Sequence, residues 1–104
     1  MKVIKVTGKT FENEVLNSSK TVVADFNADW CGPCRMLAPV LDQLSEENKN
    51  VKFVAINVDD EGEIAMNYGI SSIPCIIIFK NGKEVRRSVG FKPKAALQAL
   101  LSDI

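Results

Sequence analysis

Three short runs rich in Val, Ile and Phe limit the folds open to this chain. They are TVVADFNA (21–28), VKFVAINV (51–58) and CIIIF (75–79). Each run has the length and the β-branched and aromatic content of a strand, and the first and third are apolar enough to be buried on both sides. Such strands are typical of parallel sheets, so the runs predict a sheet covered by helices on both faces.

Helical patterns fill the segments between these runs. Apolar residues recur at helical spacing over 33–48, a short helix is predicted over 60–69, and Pro93 begins a last helix. Near the N-terminus, VIKV (3–6) predicts a strand, and Thr10 is expected to cap a helix that begins at residue 11.

An Asn-Gly pair at 81–82 lies between CIIIF and EVRRSV, which predicts a tight hairpin. The resulting order is β-α-β-α-β-α-β-β-α. Alternating units favour parallel strands, and the hairpin adds antiparallel ones. We therefore expect an α/β fold, with a central mixed five-stranded sheet and helices on both faces, as a single domain over residues 1–104.

Composition excludes several classes of function. Lysine and arginine total 13, as do aspartate and glutamate, so no net field attracts nucleic acid or an anionic membrane. No segment approaches 18 apolar residues, and the first fifteen residues lack the apolar stretch of a secretory signal. We expect a cytoplasmic protein, and in that compartment paired cysteines are more often catalytic or metal-binding than structural.

Cys31 and Cys34 are two of only three cysteines, and they are separated by Gly-Pro. A disulfide between them would close a loop too short to stabilise a fold by more than roughly 2 kcal/mol. A zinc site would need further ligands, but the chain has no histidine and one other cysteine. A structural crosslink and a metal site stay open as alternatives. Thiol-disulfide chemistry, by contrast, needs no residues beyond the two cysteines, so we favour it and expect no bound metal.

The predicted helix gives the two cysteines different roles. Cys31 lies at its N-terminus, where free N–H groups favour an anion, so we expect a thiol pKa below about 8.5 and a nucleophilic thiolate. Cys34, one turn further on, is expected to be less exposed and to act as the resolving thiol. Asp25 interrupts an apolar strand and is the candidate base for Cys34; the alternative is a carboxylate that faces solvent.

WCGPC (30–34) between a strand and a proline-containing helix, followed by SIPCIIIFKNGK (72–83), resembles the thioredoxin family over essentially the whole chain. The resemblance implies the thioredoxin fold and a protein-disulfide reductase with no bound cofactor. Its redox centre would be the Cys31–Cys34 disulfide. The partners implied are a separate thioredoxin reductase and disulfide-containing protein substrates, and we expect a monomer.

The same resemblance implies roles for further residues. Asp25 would accept the proton of Cys34, and Gly32 and Pro33 would tune the redox potential. The substrate-binding surface would comprise Trp30, Ile73, Pro74 and Gly90, with the Ile73–Pro74 peptide bond in the cis form. The alternatives are a partly buried core aromatic for Trp30 and an ordinary turn glycine for Gly90.

Three residues depart from the family pattern. Asn27 stands where a second tryptophan is usual, and Ala55 stands where many members carry a lysine near the buried acid. Cys75 replaces a common threonine, and the resemblance would place it close to the Cys31–Cys34 pair. Cys75 is either a small buried apolar residue or a possible extra redox thiol.

Two rival functions remain open from the sequence. An oxidase or isomerase would use the same chemistry, although the Gly-Pro dipeptide and the absent signal segment argue against it. A binding module without turnover would need neither thiol, so the presence of both Cys31 and Cys34 favours the reductase.

Overall fold

The computed structural model describes residues 3–104 and contains one mixed sheet. The five strands are β1 Val3–Lys5, β2 Thr21–Asn27, β3 Val51–Asn57, β4 Cys75–Lys80 and β5 Lys83–Val89. The α-helices are α1 Gly32–Glu47, α2 Gly62–Asn67 and α3 Lys94–Leu101, and a π-helical segment spans Glu12–Leu16. The predicted order of elements is confirmed, with the first helix of a different kind.

Strand order in the sheet is β1-β3-β2-β4-β5. β1 and β2 both pair with β3 in parallel, whereas β4 pairs antiparallel with β2 and with β5. The central strand β2 is buried from Val22 to Phe26, because strands on both sides and helices on both faces cover it. Its carboxyl end leads directly towards α1, which is where side chains for chemistry gather in sheets of this kind.

Each face of the sheet carries its own apolar core. Because side chains alternate along β2, Ala24 and Phe26 lie on one face of the sheet. They pack there with Ile64 of α2 and with Phe11, the residue before the π-helical segment. Val23 lies on the other face, with Leu37, Leu41 and Leu44 of α1 and Leu97 of α3. The prediction of helices on both faces is therefore confirmed, and side chains of one strand are assigned to α1 or α2 by their parity.

The first predicted helix differs from expectation. Over Glu12–Leu16 the backbone is π-helical, and the main-chain N–H of Asn17 donates to the carbonyl of Glu12 across 2.8 Å. The prediction that Thr10 caps this helix is wrong. Its hydroxyl oxygen instead accepts a hydrogen bond from the N–H of Thr7, 3.0 Å away, because the chain is already turning at that point.

The hairpin between β4 and β5 turns at Asn81 and Gly82, both of which have positive φ. This agrees with the preference of two-residue hairpins for Asn-Gly. A Cβ on Gly82 would lie only 2.7 Å from the carbonyl oxygen of Leu16, so the turn also packs tightly against the first helical segment.

Candidate active site

Cys31 and Cys34 lie at the start of α1 and are joined by a disulfide, with their Cα atoms 5.2 Å apart. Cys31 is the residue before the helix and has extended backbone angles, as N-cap residues do. Its Sγ accepts a hydrogen bond from the main-chain N–H of Cys34 across 3.2 Å. The sulfur of Cys31 therefore occupies the position of a capping oxygen, beside the N–H groups that a helix leaves unpaired.

Gly32 and Pro33 form the first turn between the two cysteines. Pro33 lies where a missing N–H costs nothing, and its fixed φ suits a helix start. The N–H of Arg35 then donates to the carbonyl of Cys31 across 3.1 Å, which closes the turn. The two residues thus hold the cysteines one turn apart at the beginning of the helix.

Burial of the two cysteines differs from the prediction. Cys34 was expected to be the less exposed, but both residues are 4% exposed. The disulfide turns the two sulfurs towards each other, and Ala28, Val58 and Ile73 pack against the pair. In this oxidised form both cysteines are therefore buried to the same extent, with apolar side chains packed against them.

Asp25 is buried in the middle of β2, with 3% of its surface exposed. It has the parity of Val23, so its side chain lies on the α1 face of the sheet, and it lines one open cleft together with Cys34. Burial raises the pKa of the Asp25 carboxyl from 3.8 to about 6, against a smaller lowering by the Asn27 amide. The alternative of a solvent-facing aspartate is wrong, and a proton can be exchanged here near neutral pH.

Asn27 touches Asp25, which sequence reasoning did not anticipate. Its Nδ2 donates to Oδ2 of Asp25 across 3.2 Å and to the main-chain oxygen of Asp25 across 3.3 Å. The signal was present, since residues two apart in a strand share a face. Ala55, a second departure from the family pattern, is the register partner of Asp25 on β3, so the side chain next to the acid on that strand is an uncharged methyl group.

Trp30 is strongly exposed, at 68% of its surface, so it is not a partly buried core aromatic. Its indole Nε1 donates to Oδ2 of Asp59 across 2.9 Å. Asp59 follows the end of β3, next to the end of β2 in the sheet, and this position at the carboxyl edge was the signal that could have found it. The ring is thus held beside Cys31 with much of its surface open to other molecules.

The loop before β4 brings the other predicted docking residues to the same place. The Ile73–Pro74 bond is cis, and Ile73 packs against the two cysteines. The N–H of Gly90 donates to the carbonyl of Pro74 across 2.8 Å. Gly90 has φ of 91°, a conformation that favours glycine.

Cys75 is 1% exposed and has its place in the core on the α2 face of the sheet, with Phe26 and Ile77. Asp25 lies on the opposite face, and Cys75 is not part of the cluster that surrounds Cys31 and Cys34. Burial raises the pKa of the Cys75 thiol. The structure thus brings Asp25 and Cys34 to one cleft, with Cys34 bonded to Cys31, and places Cys75 in the core on the other face of the sheet.

The chain is similar to known proteins over nearly its whole length. The thioredoxin family model matches residues 2–103. The chain belongs to the thioredoxin family. It is 48% identical over 103 residues to a thioredoxin of Bacillus subtilis (strain 168), covering 98% of this chain and 97% of the relative. A thioredoxin of Porphyra purpurea is 47% identical over 103 residues, covering 98% and 96% of the two chains.

A further thioredoxin, from Mycobacterium tuberculosis (strain ATCC 25618 / H37Rv), is 49% identical over 102 residues, covering 97% of this chain and 88% of the relative. Family membership together with the Cys31–Cys34 disulfide makes this thioredoxin-family chain a thiol-disulfide oxidoreductase that reduces protein disulfides. The sequence-based predictions of family, fold and reaction are confirmed.

Over residues 3–104, none of the helices is both long and apolar enough to cross a membrane. Within the same range, no group of three or more His, Cys, Asp or Glu side chains is arranged to hold a metal ion. The redox-active group of this thioredoxin-family chain is the cysteine pair, which belongs to the sequence itself.

Proposed function

We propose that Cys31 is the nucleophile of the reductase and Cys34 the resolving thiol. In the reduced protein, the thiolate of Cys31 attacks one sulfur of a substrate disulfide, and the other substrate sulfur leaves as a thiolate. Cys34 loses its proton and attacks Sγ of Cys31, which releases the second substrate sulfur and forms the Cys31–Cys34 disulfide. Two electrons pass to the substrate. The observation that supports these roles is the sulfur of Cys31 at the cap of α1.

Asp25 is the proton acceptor for Cys34 in this proposal. Both residues line the same cleft, and the burial of Asp25 raises its pKa to about 6. A group with such a pKa is ionised at neutral pH and still basic enough to take a proton in the reaction. Once Cys34 has reacted, the neutral acid returns its proton to solvent through the open cleft.

Substrate docks on the surface around the disulfide, formed by Trp30, Ile73, Pro74 and Gly90. The exposed indole supplies apolar contact area, and the segment before β4 supplies backbone groups to an extended substrate. Gly32 and Pro33 tune the redox potential because they set the backbone of the turn that holds both sulfurs.

The electrons come from a separate thioredoxin reductase, which restores the dithiol after each turnover. The chain acts as a monomeric single domain in the cytoplasm, without a bound cofactor. The family model spans residues 2–103, which supports a single domain. The net charge of zero gives no attraction to nucleic acid or membranes, which supports the absence of such partners.

Dithiothreitol-driven reduction of insulin tests the roles of the two cysteines. We expect Cys31→Ser to be inactive in this assay. Cys34→Ser, reduced beforehand and mixed with insulin after removal of dithiothreitol, should accumulate a covalent complex that mass spectrometry detects and that added dithiothreitol releases. Cys75→Ser is the matched control, since it removes a thiol outside the cluster around the disulfide. Normal turnover by Cys34→Ser would show that the resolving role is wrong.

A further inference from the structure

The two carboxyl oxygens of Asp25 have different surroundings. Oδ2 accepts a hydrogen bond from Nδ2 of Asn27 across 3.2 Å. Oδ1 is buried and has no hydrogen-bond partner among residues 3–104. A buried oxygen without a partner is costly in a fold, so this asymmetry calls for a functional explanation.

We propose that Asn27 is a positioning residue that binds Oδ2 of Asp25 and leaves Oδ1 as the oxygen that receives the proton of Cys34. This inference rests on the role of Asp25 proposed above. An amide N–H can only donate, so the oxygen that it contacts must accept. The hydroxyl of a protonated carboxyl is a poor acceptor, and the proton therefore goes to the other oxygen.

A second contact, with the main chain, holds the amide of Asn27 beside Oδ2 of Asp25. Nδ2 also lies 3.3 Å from the backbone oxygen of Asp25, so the amide is tied to the same residue at two points. Asn27 lines the cleft that Asp25 shares with Cys34. The amide thus stands at the wall of the cleft and orients the carboxyl within it.

The register partner of Asp25 on β3 carries no charge. Lys5, Ala55 and Asp25 occupy one row across β1, β3 and β2, with the methyl group of Ala55 next to the acid. The titratable and charged groups around Asp25 are Cys34 and Arg35 on α1, Asp29 in the preceding loop, Lys5 on β1 and Cys75 on β4. Of the residues that the structure describes, Asn27 alone donates a hydrogen bond to the carboxyl of Asp25.

The amide opposes burial. Burial favours the neutral acid, whereas a hydrogen bond from Asn27 favours the carboxylate, so the pKa of Asp25 stays lower than burial alone would make it. Because the carboxylate is the form that accepts a proton, loss of the amide should move the whole activity of the base to higher pH.

Two substitutions of similar size, with Asn27→Gln as the control, test whether the Asn27 amide lowers the pKa of Asp25. Asn27→Leu removes the donor, and Asn27→Asp replaces it with an acceptor of negative charge. We expect carboxyl carbon NMR of the full-length oxidised protein to show the pKa of Asp25 raised by about one pH unit in Asn27→Leu and by more in Asn27→Asp. Asn27→Gln, which keeps the amide, should move it least. An unchanged pKa in Asn27→Leu and Asn27→Asp would overturn the inference.

Single-turnover reduction of a disulfide peptide, followed by product release, gives the kinetic readout. For Asn27→Leu we expect release to be slower by up to about tenfold below the wild-type midpoint and to converge with wild type at higher pH. An equal loss at every pH would indicate a merely structural role and overturn the inference.

The variant Asp25→Ala separates this inference from the function on which it rests. It should abolish the pH-dependent step near 6, and adding Asn27→Leu to it should then have no effect. If Asp25→Ala keeps the wild-type pH profile, the proposed role of Asp25 fails and the inference fails with it. If Asp25→Ala abolishes the step but Asn27→Leu does not shift it, only the role of Asn27 is wrong.

Discussion

The main-chain N–H of Cys34 lies 3.2 Å from Sγ of Cys31, so the sulfur proposed to attack substrate is also the group that caps α1. Four predictions follow from this site and from the core behind it.

Cys31 should be the fast-reacting thiol of the reduced protein. The free N–H groups at the start of α1 stabilise a thiolate, so we expect iodoacetamide to alkylate Cys31 faster than free cysteine below neutral pH. Peptide mapping after brief exposure measures the site and the rate. Cys75, at 1% exposure, is the internal control and should stay unmodified until the protein unfolds. Equal rates for Cys31 and free cysteine would contradict the assigned nucleophile.

Asp59 should influence substrate binding through Trp30. Asp59→Ala removes the carboxylate whose Oδ2 lies 2.9 Å from Nε1 of Trp30. The indole ring then loses the hydrogen bond that holds it in place. Ordering one such side chain on binding costs about 0.5 to 1.5 kcal/mol, so we expect KM for a protein disulfide to rise about two- to tenfold with kcat little changed. Asp60→Ala, which removes a neighbouring exposed carboxylate, is the control. A fall in kcat at constant KM would place Asp59 in a different role.

Asp25→Asn should stabilise the fold at neutral pH. The pKa of Asp25 is raised from 3.8 to about 6 in the folded protein, so the native state binds the extra proton and loses stability as pH rises through this window. The substitution removes the burial of a charge, and we expect the free energy of unfolding to rise by up to about 3 kcal/mol above the folded pKa. Below 3.8 this gain should vanish.

Urea denaturation of the oxidised protein at several pH values measures this effect. Asp60→Asn is the matched control, because it replaces an exposed aspartate and should change little at any pH. Equal stability of wild type and Asp25→Asn across the whole range would mean that Asp25 carries no burial cost. Such a result would also weaken its assignment as a proton acceptor.

Cys75→Thr should keep reductase activity. Cys75 packs in the core on the α2 face and lies outside the cluster around the disulfide, so its thiol is not needed for exchange. The buried hydroxyl of threonine should cost about 1 to 3 kcal/mol of stability if it finds no partner. Insulin reduction and thermal unfolding measure the two effects, and loss of most turnover in a folded variant would show that Cys75 takes part in the reaction.

The strands and the order of elements along the chain could be predicted because short apolar runs alternate with helical segments over most of the sequence. The position of Cys31 before α1 was equally readable, since Pro33 marks the first turn of a helix. These features depend on residues close together in sequence, where spacing alone carries the information.

Other features depend on contacts that spacing does not reveal. The π-helical form of Glu12–Leu16 differs from an α-helix by one step in its hydrogen bonds, which the apolar pattern does not distinguish. Asp59 reaches Trp30 from another strand, 29 positions away. Cys75 follows Pro74 directly, yet the parity of β4 turns its side chain to the face opposite Asp25.

The capping sulfur links conformational stability with electron transfer. Any interaction at the start of α1 that favours the disulfide form over the dithiol form of the folded protein must, by a closed thermodynamic cycle, lower the reduction potential of the pair. Unfolding experiments on the two redox forms would therefore report how strongly this domain tends to give electrons away.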